Sequence, residues 1–295
     1  MHKYFIIDVF TKIQFEGAQI AVFPDADGIA DAKMQTLARE LNLSETVFIC
    51  AATDAVSDLR LRIFSPLEEL DFAGHPLLAA GYVLHHASQA DTTTLQLQLN
   101  DEAVRISIES VLGETRIKFS VQSPYRVDEF VPSSKELGEI IHLDEKAIEQ
   151  GDIRPMLVSC RGDYLMVPVK SIDAFSAARF NINKWTTSFV ATLASRICVC
   201  CKAAAVDAAD YRLRLLGRHI TEGSDPPVGS AAPAMGVYLF GAMQAGLYNT
   251  VIQRGGGGQR KSLIDIRVEK TTDAITVIHV GGYAVQTGNG IIDSV

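Results

Sequence analysis

The chain has 295 residues, of which 47% are hydrophobic and 21% are charged, and its formal net charge is −8. This composition is typical of a globular protein with one or two domains, and the negative charge argues against a nucleic-acid partner. Asp8 interrupts the apolar N-terminal run, and no stretch reaches the ~18 apolar residues of a transmembrane helix. We therefore expect a cytoplasmic protein without a signal peptide or a membrane partner.

The first half predicts a sheet and two helices. Apolar residues recur at helical spacing from Met34 to Leu41, which predicts a helix over 31–41. The segment 75–86 is apolar on almost every face and has Pro76 near its first turn, so it predicts a buried helix. Alternating and apolar runs predict strands at 3–9, 19–23, 45–51, 58–64, 93–99, 103–109 and 114–119.

The second half predicts a similar order of elements. Its buried helix covers 230–243 and again has a proline, Pro233, near its start. The other predicted elements are a helix at 182–195 and strands at 196–203, 210–216, 248–253, 263–269, 274–280 and 283–286.

Two pairs of segments indicate an internal repeat. Residues 58–65 match 210–217, and residues 74–84 match 229–239, in the same order and at offsets of 152 and 155. We therefore predict an α+β fold of two pseudo-symmetric halves, 1–127 and 128–295. Each half is expected to be a barrel-like, mostly antiparallel sheet around a central buried helix, and the C-terminal segment can cross back to the first half.

Glu45 is the first candidate for chemistry, because it lies where a predicted helix gives way to an apolar strand. A carboxylate at a strand entrance can face a cleft and act there as a general base. The alternative is a solvated turn glutamate, which the local sequence alone favours.

The starts of the two buried helices are the next candidates. Gly74 and His75 begin the first helix, where unpaired backbone N–H groups attract anions, although His75 can instead cap its own helix. Gly229 and Ser230 hold the matching positions in the second half, and Asp225 lies in the loop just before them. If the halves pair about a pseudo-twofold axis, both helix starts point into one cleft. The alternatives are that Asp225 belongs to an ordinary Asp-Pro turn and that Ser230 is an N-cap.

Other motifs carry weaker signals. The glycine run within 254–262 could bind an anion, but a hairpin between strands is the simpler interpretation. Cys198, Cys200 and Cys201 lack nearby ligands at zinc spacing, so we expect no metal. The sequence has no dinucleotide fingerprint and no phosphate loop.

Four segments together resemble the phenazine-biosynthesis-F-like isomerase family, and the resemblance covers essentially the whole chain. They are Phe15 to Phe23, Asn42 to Thr46, Phe72 to Pro76 and Asp225 to Ala231. The resemblance implies a diaminopimelate-epimerase-like fold with the active site between two halves. It also implies a homodimer that shifts a proton on a small carboxylic acid without cofactor or metal.

The same resemblance implies roles for single residues. Glu45 falls on the family's catalytic glutamate, and the implied substrate-binding residues are Gly74, His75, Asp225, Gly229 and Ser230. The chain departs from the family at Ala18-Gln19 and in the loops 224–228 and 254–262, so the substrate stays open.

Two other functions remain open. One is an epimerase or racemase of an amino or hydroxy acid, and the other is a non-catalytic homologue that binds a small acid. Related racemases use two cysteines, but His75 and Ser230 hold the helix starts here, which disfavours that mechanism.

Overall fold

The computed structural model describes residues 1–88, 92–204, 207–218, 220, 225–256 and 258–293. The chain forms two compact units. The first comprises Met1–Val121, Arg260–Ile264 and His279–Val295, and the second comprises Gln122–Gln259 and Asp265–Ile278. The loops 224–228 and 254–262, in which the chain departs from the family, each contain a residue outside the described ranges, Ser224 and Gly257.

The first unit consists mainly of strands. Its helices are α1 (Asp31–Leu41) and α2 (Gly74–Ser88). Its strands are β1 (His2–Val9), β2 (Ala18–Phe23), β3 (Glu45–Ala51), β4 (Leu59–Phe64), β5 (Glu69–Leu70), β6 (Thr92–Gln98), β7 (Ala103–Val111) and β8 (Glu114–Val121), joined by most of the C-terminal strand β16 (Ile275–Ile292).

Eight of these strands close into a barrel. The hydrogen-bonded order runs β1, β2, β3, β4, β6, β7, β8 and β16, and β16 pairs again with β1. Two neighbouring pairs are parallel, β2 with β3 and β4 with β6, because helices α1 and α2 connect them. Closure leaves this sheet with few unpaired edges.

Helix α2 fills the barrel of the first unit. Ten of its residues are buried, from Gly74 to His85, and it packs against β1, β2, β3, β7 and β8. Gly81 allows this close packing, since a Cβ there would lie 3.0 Å from the Ile117 side chain. The buried helix that the apolar segment 75–86 predicts is therefore confirmed.

Helix α1 covers the outer face of the same sheet. Met34, Leu37 and Ala38 are its buried residues, as the periodicity predicted. Phe48 stacks on Phe23 with ring centroids 4.9 Å apart, and both belong to the core beneath α1. Side chains alternate across a strand, so Val47 and Glu45 point to the opposite face, toward α2.

The second unit repeats this plan. Its α-helices are α3 (Ser134–Ile141), α4 (Ile172–Ala177), α5 (Ile182–Thr187) and α6 (Ala232–Phe240). Its strands are β9 (Arg126–Asp128), β10 (Met156–Ser159), β11 (Asp163–Pro168), β12 (Arg196–Lys202), β13 (Tyr211–Leu216), β14 (Gly246–Gly256) and β15 (Gln259–Lys270).

The strand pairing confirms that the two units are related. In the first unit β2 and β3 are parallel, β3 and β4 antiparallel, and β4 and β6 parallel. In the second unit β11 and β12 are parallel, β12 and β13 antiparallel, and β13 and β14 parallel. Helix α6 is buried from Ala232 to Tyr238, as α2 is in the first unit. The predicted α+β fold with one buried helix in each half is confirmed.

Three of the elements that the sequence predicts differ in the structure. The helix predicted at 182–195 ends at Thr187, because Ser188 is extended with ψ 140° and a 3₁₀ turn, Phe189–Thr192, follows it. The helix predicted at 230–243 begins as a 3₁₀ turn, Gly229–Ala231, before α6.

The third difference is at the C-terminus, where the strands predicted at 274–280 and 283–286 form the single strand β16. Gly282 lies within this strand and does not end it. A Cβ at this position would lie 2.7 Å from the Phe10 ring. Close packing, rather than a turn, explains this glycine.

No helix in the described ranges combines the length and the hydrophobicity that a bilayer crossing requires.

A buried ion pair fixes the segment between β1 and β2. Asp8 is fully buried, and its carboxylate accepts hydrogen bonds from Arg260 and, at 2.7 Å, from the backbone N–H of Phe15. Arg260 also donates to the backbone oxygens of Glu16 and Gly17, at 2.7 and 3.0 Å. Burial raises the pKa of Asp8, although Phe15 and Arg260 oppose that rise.

We predict that Arg260→Met destabilises the first unit by about 3 kcal/mol at pH 7, because it leaves the Asp8 charge buried without its partner. Since the pKa of Asp8 is already raised in the folded state, its ionisation costs stability as pH rises. The defect should therefore shrink at pH 5, where Asp8 can take up a proton. Urea unfolding at both pH values measures this, and an equal defect at both would contradict it.

Candidate active site

Glu45 lies at the start of a barrel strand and is directed to the inside of the barrel. Helix α1 ends at Leu41, and the left-handed backbone of its C-cap residue Asn42 (φ 50°) returns the chain to β3 after two further residues. Glu45 pairs with Ile20 across the parallel β2–β3 ladder. Its side chain is only 13% exposed, so the interpretation as a solvated turn glutamate is wrong.

His75 meets this carboxylate. Its side chain is 4% exposed, and its Nε2 forms a short contact with Oε2 of Glu45. When Glu45 is ionised it can only accept, so the proton of this contact then lies on His75 Nε2. His75 therefore binds Glu45 across the barrel rather than capping its own helix.

The N-terminus of α2 contributes to the electrostatic environment of Glu45 and His75. Gly74 and His75 are buried in the first turn, where backbone N–H groups have no partner within the helix. The positive end of the helix dipole stabilises a negative charge placed there. Nδ1 of His75 is also buried, and it has no hydrogen-bond partner among the described residues. The first unit thus brings together a carboxylate, a histidine and the N-terminus of a buried helix.

Asp225 belongs to a second group of polar side chains, in the second unit. Its side chain is 5% exposed and forms an ion pair with Arg254, with Nε and Oδ2 3.2 Å apart. Burial raises the pKa of Asp225, while Arg254, Arg214 and a hydrogen bond from the backbone of Gly255 oppose that rise. Asp225 is therefore a buried residue paired with an arginine, and not a solvent-exposed Asp-Pro turn residue.

Ser230 lies in the same unit, in the 3₁₀ turn Gly229–Ala231 that leads into α6. It is not the N-cap of that helix, because Ala231 holds this position. The hydroxyl of Tyr164 donates a 3.4 Å hydrogen bond to Ser230 Oγ. Burial raises the pKa of Tyr164 to about 12, so its hydroxyl stays protonated as a donor at neutral pH.

The structure thus places the six predicted residues in two groups, with Glu45, Gly74 and His75 in the first unit and Asp225, Gly229 and Ser230 in the second. Sequence analysis missed the partners Tyr164 and Arg254. In the structure Tyr164 pairs with Arg196 in the parallel β11–β12 ladder as Ile20 pairs with Glu45 in the first unit, but the sequence repeat does not extend to β11.

The glycine run within 254–262 forms the connection between β14 and β15. Gly255, Gly256 and Gly258 have positive φ, which agrees with the hairpin interpretation. In the described part of the chain, no cluster of three or more His, Cys, Asp or Glu side chains could hold a metal ion.

Comparison with known proteins agrees with this fold. A hydroxyproline epimerase of Agrobacterium vitis superposes with a TM-score of 0.57 at 11% identity, over 98% of this chain and 91% of that one. The fold is therefore that of the diaminopimelate-epimerase-like isomerases and epimerases.

The comparisons also show to which family within this class the chain belongs. The family described as phenazine biosynthesis-like protein matches residues 7–290, and the chain belongs to it. The trans-2,3-dihydro-3-hydroxyanthranilate isomerase of Pseudomonas fluorescens is 30% identical over 295 residues, covering 99% of both chains. The crystal structure of a PhzF-family protein of Bacillus anthracis superposes with a TM-score of 0.85 at 22% identity, over 98% of both chains. The protein is an enzyme of the isomerase class.

The pKa of each cysteine thiol indicates whether that cysteine can act as a nucleophile. Burial raises the pKa of Cys160 and Cys201 to about 11, and raises the pKa of Cys198 and Cys200 as well. Because the thiolate is the nucleophile, these four cysteines should react very slowly at neutral pH.

We predict that iodoacetamide at pH 8 leaves these four cysteines unmodified in the native protein and alkylates them after unfolding in guanidinium. Mass spectrometry of peptides reads out each site. Rapid alkylation of Cys198 or Cys200 in the native protein would contradict the assignment and reopen thiol-based racemisation.

Proposed function

We propose that this enzyme is a cofactor-independent isomerase that moves a proton on a small carboxylic acid, with Glu45 as general acid and base. The observation that carries the proposal is the contact between Glu45 and His75 inside the first barrel, where both side chains are largely removed from water. General acid–base catalysis needs such a carboxylate, held in place and able to exchange a proton with the substrate.

His75 supports this role in two ways. Its Nε2 holds one oxygen of Glu45, which fixes the carboxylate and leaves the other oxygen for the substrate. The start of α2, at Gly74, can bind the carboxylate group of an acid substrate through its free N–H groups. A proton can then leave one carbon for Glu45 and return to another carbon of the same substrate.

The residues at the corresponding positions of the second unit favour a mechanism with a single acid–base residue. β12 corresponds to β3 by its strand pairing, and its first residue is Arg196, where β3 has Glu45. A guanidinium cannot act as a base at neutral pH. Ser230 likewise stands where the first unit has His75. Two-base racemisation would need a second acid or thiol at these positions, so the asymmetry favours an isomerase.

We propose that Gly74, His75, Asp225, Gly229 and Ser230 bind the substrate. Burial of the Asp225 carboxylate and the Tyr164 donor on Ser230 support this assignment. The Pseudomonas fluorescens relative acts on trans-2,3-dihydro-3-hydroxyanthranilate, so this cyclic unsaturated acid is the first substrate to test. We also propose a homodimer, which analytical ultracentrifugation tests.

We predict that Glu45→Gln lowers turnover of this substrate by about 10²–10⁴-fold or more, because the amide cannot exchange the proton. Glu69→Gln is the matched control, since Glu69 is a half-buried glutamate of the same unit whose partner is Arg62. The control should keep nearly full turnover. Equal turnover of wild type and Glu45→Gln would reject the proposal.

The isotope pattern in D₂O separates the proposal from its alternatives. We predict that solvent deuterium enters the product at the carbon that receives the proton, with migration of the double bond. Deuterium at a stereocentre without bond migration would instead indicate an epimerase. Tight binding of an acid with no exchange at all would indicate a non-catalytic homologue, and proton NMR distinguishes the three outcomes.

A further inference from the structure

The sheet of the second unit has a free edge at β9. This strand, Arg126–Asp128, is the last in the hydrogen-bonded order, and in the described part of the chain it pairs only with β10. The eight-stranded barrel of the first unit has no such end, because β16 pairs back to β1. A free edge exposes backbone N–H and C=O groups, which can pair with a strand of another molecule.

The side chains beside this edge are apolar and exposed. Val127 is 39% exposed, and Phe130, two residues after the strand, is 69% exposed. The ring of Phe130 lies against that of Phe189 in the same unit, with centroids 5.0 Å apart. Aromatic side chains are enriched in protein interfaces, whereas edge strands that stay unpaired commonly carry lysine or proline. β9 contains neither of these two residue types.

Symmetry limits the ways in which β9 can pair with a second copy of itself. Two identical edges related by a two-fold axis run antiparallel, and residues that face each other must point to the same face of the sheet. One residue of β9 must therefore face its own copy, and the choices are Arg126, Val127 and Asp128. Pairing centred on Arg126 or on Asp128 places two like charges opposite each other, which is destabilising.

Pairing centred on Val127 is complementary in charge. Arg126 then faces Asp128 of the partner subunit, and Asp128 faces Arg126 of the partner subunit. Opposite charges that face each other across two strands stabilise the pairing. Val127 meets its own copy, which removes part of its exposed side chain from water. The segment Arg-Val-Asp thus complements itself in one register only.

We propose that β9, together with Phe130 and Phe189, is the surface through which two copies of this chain associate, in the register centred on Val127. The inference rests on the homodimer proposed above and names its surface and its register. Because β9 has only three residues and two of them are charged, the dimer should be weak and should weaken further as salt is added.

Charge reversal tests the register. Sedimentation equilibrium at low salt measures the dissociation constant of the dimer for the wild type, Arg126→Asp and Asp128→Arg. Each substitution turns two attractive pairs into two repulsive pairs, so each should raise the constant about tenfold or more. Arg267→Asp is the matched control, because Arg267 is exposed in the same unit but lies in β15, which has a neighbouring strand on each side. This control should keep the wild-type constant.

Restoration of the dimer separates a lost contact from a misfolded variant. The double variant Arg126→Asp/Asp128→Arg again places opposite charges face to face, so it should regain the wild-type constant. For the same reason, an equal mixture of the two single variants should form a heterodimer. If neither the double variant nor the mixture restores association, the assigned register is wrong.

The aromatic pair is tested separately. Phe130→Ser should weaken the dimer, whereas Leu112→Ser should not, because Leu112 is 99% exposed but belongs to the first unit. A wild type that is monomeric at every concentration, or a dimer that either charge reversal leaves unchanged, would overturn the assigned surface.

Failure of this inference is distinguishable from failure of the proposed chemistry. Glu45→Gln should form the dimer with the wild-type constant even though it loses turnover, since Glu45 lies in the first unit and β9 in the second. Unchanged turnover in Glu45→Gln would reject the proposed chemistry and leave the surface standing. A failed charge reversal would reject the surface and leave the role of Glu45 standing.

Discussion

Glu45 and His75 meet because the barrel of the first unit places the start of β3 beside the start of the helix that it encloses. The parallel ladder with β2 fixes the position of Glu45, and the packing of α2 against five strands fixes His75. Both side chains are largely buried, so each depends on the other for a hydrogen bond. The proposed proton transfer by Glu45 rests on that constraint.

Duplication of the unit explains both the likeness and the difference between the two helix starts. Each unit encloses an apolar helix within strands paired in the same parallel and antiparallel order. The side chains at the corresponding positions have diverged, with Glu45 and His75 in one unit and Arg196 and Ser230 in the other. A common scaffold therefore carries a largely buried Glu–His pair in one copy and an exposed arginine and a serine in the other.

Much of this fold could be predicted from the sequence, because apolar periodicity reports burial directly. Helix α2 and the strands of the first unit followed from that pattern. The burial of Glu45 did not, since a glutamate at the start of a strand can face either side, and only the pairing with Ile20 decides which. Arg254 is 29 residues from Asp225 and Tyr164 is 66 residues from Ser230, so these contacts depend on tertiary structure that local patterns do not contain.

The hydrogen bond between Glu45 and His75 can be observed directly by ¹⁵N NMR of histidine-labelled protein. The ring nitrogens of His75, assigned with a His75→Gln variant, report which one carries the proton. Our account predicts a proton on Nε2 whose resonance shifts strongly in Glu45→Gln, while the signals of His279, whose ring is 2.9 Å from Ser120, stay in place. A His75 spectrum that is unchanged by Glu45→Gln would contradict the pairing on which the proposed proton transfer depends.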